Sequence, residues 1–303
     1  MSEKKDPLVT IVTITFNLLK AGREKYFRQN LESVHNQTYK NIEHLVIDGA
    51  SSDGTIDLIK EYADKGWIKY ISEPDKGIYD AMNKGVKLAK GKYIAFLNSD
   101  DFYHRENGME ASVKALEESG TDFSYAPVTM IFEDGTPFGE HPQCNPKISN
   151  VFFTMPFCHQ TMFTKKDVMI KENMFDTRYK SAADYDFVIR LCLKKYKSVL
   201  VENNFMTYRF VGVSSTAQEN SLSEMADIFY NEYGRLYPIS REVCNTMCRN
   251  VYTGDYYNGL PHKLAKKLKK SKLYFDYDGY RSFRRQNGLR AKIMSVLNKW
   301  HRD

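Results

Sequence analysis

No apolar run in this chain approaches the ~20 residues needed to span a bilayer. The opening, MSEKKDP, is polar and charged, with no apolar core of the kind an export signal carries. Both absences predict a cytosolic protein. Cysteine is scarce: five in 303 residues, at positions 144, 158, 192, 244 and 248. An odd number in a long chain without an export signal predicts reduced, mostly buried thiols rather than a disulfide framework. Cys244 and Cys248 have helical spacing, but no further ligand pair stands at a recognised zinc spacing. Glycine-rich phosphate loops are also missing. The turn after the first apolar run reads Phe16-Asn17-Leu18-Leu19, and neither a Walker-type loop nor G-x-G-x-x-G occurs.

What is present suits a folded globular protein: 42% hydrophobic residues, and length enough for one large α/β domain plus an extension. The net charge of +6 conceals an asymmetry. Residues 262–303 hold thirteen Lys or Arg against three Asp, a surplus of ten, so the preceding 261 residues carry a net −4. A mildly acidic body ends in a strongly basic tail.

The first hundred residues alternate strands and helices. Strands are expected at 9–15, 43–48, 68–72 and 93–97, and helices at 23–35, 55–63 and 79–89. Apolar strands alternating with helices predict a mostly parallel sheet covered on both faces. Ligands of such sheets bind beyond the carboxyl ends of the strands. Further on, 106–119 reads as a helix, 121–132 as one strand with a hairpin return at 135–138, 181–195 as an amphipathic helix and 199–211 as a strand. Beyond residue 214 the pattern is helical. The expected division is a nucleotide-binding α/β domain over 1–215 and a helical basic extension over 216–303.

Four stretches carry candidate chemistry. Asn98-Ser99-Asp100-Asp101 follows a buried strand, and adjacent carboxylates there call for a cation or hydrogen-bond donors. One Asp holding Mg²⁺ or Mn²⁺ while the other meets a sugar hydroxyl competes with a solvated Asp-rich turn. Asp48, at the end of the second strand, suits a nucleobase or ribose contact, or a turn cap. Asp75-Lys76-Gly77 leads into the helix holding Asn83, where close ligand approach competes with capping by Asp75. Asp184 is a candidate general base; its spacing from Ser181 equally suits a cap of the following helix.

Together these stretches resemble glycosyltransferase family 2, whose members have the GT-A fold. Val12-Thr13-Ile14-Thr15-Phe16-Asn17 is similar to that family's first strand and donor-site turn, and Leu45 to Thr55 to its second strand and turn. Asn98 to Asp101 stands where the family places its metal-binding acids, and Ala183-Asp184-Tyr185-Asp186-Phe187 resembles the segment with the catalytic base. The order and spacing match over roughly residues 8 to 213. The stretch from Asp75 to Gly85 and the pair His159-Gln160 resemble a branch associated with capsule, exopolysaccharide or O-antigen assembly. The chain departs from the pattern at Gly49, where a second acid is common, at Asn98 for Asp, at Met82 for Arg and at Ala183 for an acid.

The resemblance implies a nucleotide-sugar donor, with UDP the expected nucleotide, bound by Thr15, Phe16, Asn17, Asp48, Asp75, Lys76, Asn83, Asn98, Ser99 and Asp100. It implies Mg²⁺ or Mn²⁺ on Asp100 and Asp101, Asp184 as the base, and His159, Gln160 and Asp186 on the acceptor side. The expected reaction moves a monosaccharide, with inversion, onto a saccharide or lipid-linked saccharide in surface polysaccharide assembly. Two other readings compete. A non-catalytic module binding a nucleotide or an anionic surface gains nothing from ordered carboxylates. A sugar nucleotidyltransferase is expected to carry the glycine-rich loop that is missing here. In the tail, lysines surround Leu264 and Leu268, with Tyr274, Phe275, Tyr277, Tyr280 and Phe283 beyond. That mixture suits an anionic membrane surface, so a peripheral place on the inner face of the membrane is expected. A basic helix packed on the protein is the competing reading. No RNA-binding motif is present, and a nucleic-acid partner is not expected.

Overall fold

The computed structural model describes residues 6–139, 141–210 and 218–300. The chain divides into two units: Met1–Ile148 with Met155–Ser221, and Ser149–Thr154 with Leu222–Asp303. The 215/216 boundary expected from sequence falls outside the described residues.

The first unit is built on strands β1 (Val9–Thr15), β2 (Ile42–Asp48), β3 (Lys69–Ser72) and β4 (Tyr93–Phe96). β1 pairs in parallel with β2 and β4, and β2 with β3. Helices α1 (Glu24–His35), α2 (Thr55–Asp64) and α3 (Ile78–Leu88) connect them. β-Branched residues on β1 and β2 are buried on both faces, as a covered parallel sheet requires. Leu18, Phe27, Leu31, Val46, Ile59 and Tyr62 form part of one core cluster. Val9, Ile11, Tyr93, Ala95, Leu97 and Phe163 belong to another. α3 approaches β1 closely: a Cβ on Gly85 would stand 2.4 Å from Val12 Cγ1.

The next strands are β5 (Phe102–Tyr103), β6 (Phe123–Tyr125) and β7 (Val128–Ile131), with α4 (Gly108–Ser119) between β5 and β6. Then come β8 (Phe163–Lys165), α5 (Lys166–Lys171), α6 (Ala183–Leu193), β9 (Ser198–Leu200) and β10 (Met206–Arg209). The main sheet runs β3-β2-β1-β4-β8-β6-β9 and a small sheet runs β5-β10-β7. β8 is antiparallel to both neighbours, so the sheet is mostly, not wholly, parallel. Two single strands expected from sequence are each split between the sheets. Residues 121–132 give β6 and β7, broken at Ala126-Pro127, where Pro127 has no N–H for a ladder. Residues 199–210 give β9 and β10, broken by Glu202-Asn203-Asn204. The expected hairpin return is a lone bridge, Ile131 to Pro137.

The second unit is helical: α7 (Gln218–Ile228), which begins in the first unit, a π-turn over Phe229–Tyr233, α8 (Arg241–Tyr252), α9 (His262–Leu268) and α10 (Tyr277–Trp300). Its core takes in the short segment Ser149–Thr154. Phe152 meets Phe275 edge-on at 5.8 Å, Phe153 meets Tyr257 at 5.5 Å, and the Tyr233 hydroxyl donates to the Phe152 carbonyl. Leu264, Leu268, Tyr274, Phe275 and Tyr280 are all buried. These five side chains are therefore not free to meet a membrane. Cys244 and Cys248 are buried free thiols, both pushed up to about 11, chiefly by burial. No helix among the described residues is long and apolar enough to cross a membrane.

Candidate active site

β1 lies between β2 and β4, and the chain crosses over between them. Such a switch point opens a crevice at the carboxyl ends of the strands. A cavity of about 450 Å³ occupies it. Its wall is stitched from loops. Asn17, with φ of +47°, turns the chain after β1, and its Oδ1 accepts from Ser52 N–H at 3.0 Å. The N–H groups of Leu18 and Lys20 donate to Thr55 Oγ1 and Asp53 Oδ2. Thr15, Phe16, Asp75, Asn98, Ser99 and Asp100 all reach the wall. Phe16 is 63% exposed there, an aromatic face in position to stack on a planar ring.

Asp48 does not reach the cavity. It is fully buried, and its oxygens accept from Thr15 Oγ1 (3.0 Å), Ser51 Oγ (2.5 Å), Ser51 N–H (2.9 Å) and Ser72 Oγ (2.7 Å). A carboxylate so engaged ties β1, β2 and β3 together and has no face left for a base. Gly49 carries no second acid, and the space is taken: a Cβ there would meet Asp75 Oδ2 at 2.5 Å. Asn83 is likewise spent, its amide bonded in both directions to the Phe175 backbone at 2.8 and 3.0 Å. Lys76 is exposed and lies off the wall, between Asp75 and Gly77, which are on it.

The two acids of the acidic turn differ. Asp100 faces the cavity, with Oδ2 3.0 Å from Arg23 Nη1. Burial raises its proton affinity, and the charges of Arg23 and Arg209 oppose that without cancelling it. Asp101 lies behind the wall. Its Oδ1 accepts from Arg209 N–H and its Oδ2 from Gln160 Nε2, both at 2.6 Å. Burial, then the charge of Asp100, push Asp101 well above the usual carboxylate range. Gln160 Oε1 in turn accepts from Asn98 N–H at 2.6 Å. Gln160, fully buried, is thus a brace for the acidic turn rather than an acceptor contact. Asp186 is also turned away: it is buried and bonded to Arg190 Nε at 2.9 Å.

Asp184 stands in the first turn of α6, one residue past its first position, and does more than bond the helix end. Its Oδ1 accepts from Tyr79 Oη at 2.9 Å, and its Oδ2 lies 3.1 Å from His159 Nδ1. Burial pulls its pKa up, but His159, Tyr79 and the backbone N–H of Tyr185 together outweigh this and leave it below the ordinary Asp value. α3 joins it to the cavity: Ile78 and Ala81 line the wall while Tyr79 holds Asp184.

Sequence reasoning missed Arg23, Tyr79 and Arg209. Arg209 Nη1 donates to the Asp100 carbonyl and Nη2 to Gln29, and the guanidinium lies 4.3 Å from the Tyr26 ring centroid. No local motif marks Arg23 or Arg209, and the stretch from Asp75 to Gly85 does not by itself single out Tyr79; each meets its partner across many positions of chain.

The residues fit a divalent cation. Among the described residues no group of three His, Cys, Asp or Glu could hold a metal unaided. Asp100 offers one carboxylate on the wall, and Asn98 Oδ1 is buried without a hydrogen-bond partner. Magnesium-type sites use one or two protein oxygens, with substrate phosphates and water completing the shell.

Comparison with known proteins agrees with this geometry. Residues 10–174 match the model of the family described as Glycosyl transferase family 2. An uncharacterized glycosyltransferase of Methanocaldococcus jannaschii is 30% identical over 217 residues, 69% of this chain and 73% of that protein. A Bacillus subtilis protein, provisionally assigned as the teichuronic acid biosynthesis glycosyltransferase TuaG, is 30% identical over 134 residues, 43% of this chain and 50% of its own. Among solved structures, S. aureus TarS 1-349 in complex with UDP-GlcNAc aligns with a TM-score of 0.63 at 17% identity, covering 92% of both chains. This chain spans only 54% of the longer TarS chain. The mannosyltransferase PcManGT of Pyrobaculum calidifontis, in complex with GDP-Man and Mn²⁺, aligns with a TM-score of 0.60 at 14% identity, covering 92% of this chain and 84% of that one. The structural likenesses establish a GT-A fold. With more than half of its length inside the family model, and a site built where that fold binds its ligands, the chain belongs to glycosyltransferase family 2.

Proposed function

We propose that this chain transfers a monosaccharide from a nucleoside-diphosphate sugar, UDP-linked, to a hydroxyl of a saccharide or lipid-linked saccharide during surface polysaccharide assembly, with inversion. One observation carries the reading. A cavity with Asp100, Arg23 and Arg209 along its wall adjoins a helix that holds a separate, ionised carboxylate, Asp184. Phe16 stacks on the base and Asp75 accepts from it. Arg23 and Arg209 face the diphosphate, where negative charge grows as the glycosidic bond breaks. Asp100, with Asn98 beside it, would hold Mg²⁺ or Mn²⁺, which supplies further charge stabilisation when bound. Asp184 takes the proton of the acceptor hydroxyl as its oxygen attacks the anomeric carbon from the face opposite the diphosphate. A single displacement inverts that centre.

The chemistry belongs to residues 1–215 on this reading, with 216–303 serving the acceptor side. The lysines of the tail attract an anionic membrane from the cytoplasmic face chiefly by charge, because Leu264 and Leu268 among them are buried. The test is a panel of UDP- and GDP-sugars, scored by nucleotide released, on wild type and Asp184→Asn. Loss of the base should lower kcat by a factor of ~10² to 10⁴, with donor affinity little changed. Near-normal turnover by Asp184→Asn rules out its role as base.

A further inference from the structure

The carboxylate taken as the base is gripped from two sides, and one grip comes from a histidine with no face toward the cavity. His159 opens a single 3-10 turn, His159–Thr161, that is locked on both flanks. Gln160 is fixed to the acidic turn, and Thr161 Oγ1 bonds both the N–H (3.1 Å) and the carbonyl (3.0 Å) of Ala126. The ring therefore has little freedom. Its Nδ1 lies 3.1 Å from Asp184 Oδ2, while its Nε2 is buried without a hydrogen-bond partner. The ring borders a small void shared with Phe96, Met162, Phe175 and Phe187.

We propose that His159 is a positioning residue for Asp184: its neutral, Nδ1-protonated ring donates to Oδ2, while Tyr79 donates to Oδ1, so that the carboxylate stays ionised and fixed in aim. The buried Nε2 decides between this role and a direct one. A histidine acting itself on the acceptor would need that nitrogen exposed to the hydroxyl. A doubly protonated ring would bury an unpaired N–H of a cation, which is costly. The neutral ring with hydrogen on Nδ1 leaves only a lone pair in the void. Donors on a buried carboxylate lower its proton affinity, and the hydrogen bonds from His159 and Tyr79 both act on Asp184 in that direction. The titratable groups facing Asp184 are Tyr79 from α3, and Cys158 and His159 from the chain entering and opening the 3-10 turn. Burial pushes the Cys158 thiol up, so it stays neutral.

This inference rests on Asp184 as the base, and the two are tested by separate readouts. In the full chain, the side-chain carboxyl ¹³C signal of Asp184, assigned by its loss in Asp184→Asn, is followed against pH. His159→Phe and His159→Ala remove the donor. His159→Asn keeps an N–H near the place of Nδ1. The first two should raise the titration midpoint of Asp184 by about one pH unit, a tenfold change in proton affinity, and raise the acid limb of transfer with it. His159→Asn should stay close to wild type. A midpoint unmoved in whichever donor-less variant folds overturns the proposal, as does a His159→Asn midpoint shifted as far as that of the donor-less variants. In the wild-type chain at pH 8.5, the ¹⁵N shifts of His159 should be those of the Nδ1–H form, and the Nε2–H form refutes it without any variant. Failure of the base assignment appears elsewhere, as normal transfer by Asp184→Asn.

Discussion

Replacing Asp101 with asparagine changes one atom and breaks a relay. Asn98 N–H donates to Gln160 Oε1, Gln160 Nε2 donates to Asp101 Oδ2, and Arg209 N–H donates to Asp101 Oδ1, each at 2.6 Å. Asparagine brings a donor where two donors already point. Whichever way it or Gln160 is flipped, one N–H is left facing another N–H inside the protein. An unsatisfied buried donor costs ~1–3 kcal/mol. Part is returned, because asparagine carries no charge beside Asp100, so a net loss of about 1–2 kcal/mol is expected. The partner change Gln160→Glu puts two carboxylates face to face, and one must bind a proton. Its cost should grow as pH rises. The double variant Asp101→Asn, Gln160→Glu restores every donor to an acceptor: Asn98 N–H and the new amide both meet Glu oxygens, and Arg209 N–H meets the Asn oxygen. Urea unfolding of the four proteins forms a double-mutant cycle, with an expected favourable coupling of ~1–3 kcal/mol. If Asp101→Asn lies within ~0.5 kcal/mol of wild type, and the double variant is no better than the worse single, the relay contributes nothing and the reasoning fails.

Gly85→Ala should destabilise by ~1–3 kcal/mol, because the new methyl meets Val12 Cγ1 at 2.4 Å, and Val12→Ala should recover part of the loss in thermal melts. Asp100→Asn should abolish Mn²⁺ binding in the presence of UDP, read by electron paramagnetic resonance, whereas Asp101→Asn should keep it; equal loss in both returns Asp101 to the metal. The full chain should co-sediment with vesicles containing phosphatidylserine at low salt and leave them at high salt, since screening shortens the reach of its lysines to ~3 Å at 1 M; retention at high salt would mean that apolar residues insert.

Much of the first unit was legible because β1 to β4 are short apolar runs closed by polar turns, and each helix between them has a clear apolar stripe. The split of 121–132 and of 199–210 was not, because apolarity marks burial and does not say in which sheet a strand is buried. At the site, Asp100, Asp75 and Phe16 were legible from their place after strands. Asp48 from its strand end, and Asn83, Gln160 and Asp186 from the family resemblance, are expected ligand contacts, yet all four are engaged by internal bonds. Strand ends need polar residues to close loops as well as to hold ligands, and residue type does not separate the two. Arg209 was beyond reach: its bond to Asp101 spans 108 positions, and no motif marks the arginine's end of it.

The six residues Ser149–Thr154 leave the first unit and give two phenylalanines to the core of the second. The helical unit is therefore not a cassette that can be cut at one point and grafted onto another catalytic chain. A transplant of 222–303 alone arrives without Phe152 and Phe153, and the chain it was cut from keeps a loop with two orphaned rings. During synthesis the same six residues emerge well before Phe275 and Tyr257 exist to receive them. For that interval of more than a hundred residues, Phe152 and Phe153 are without the rings that later cover them.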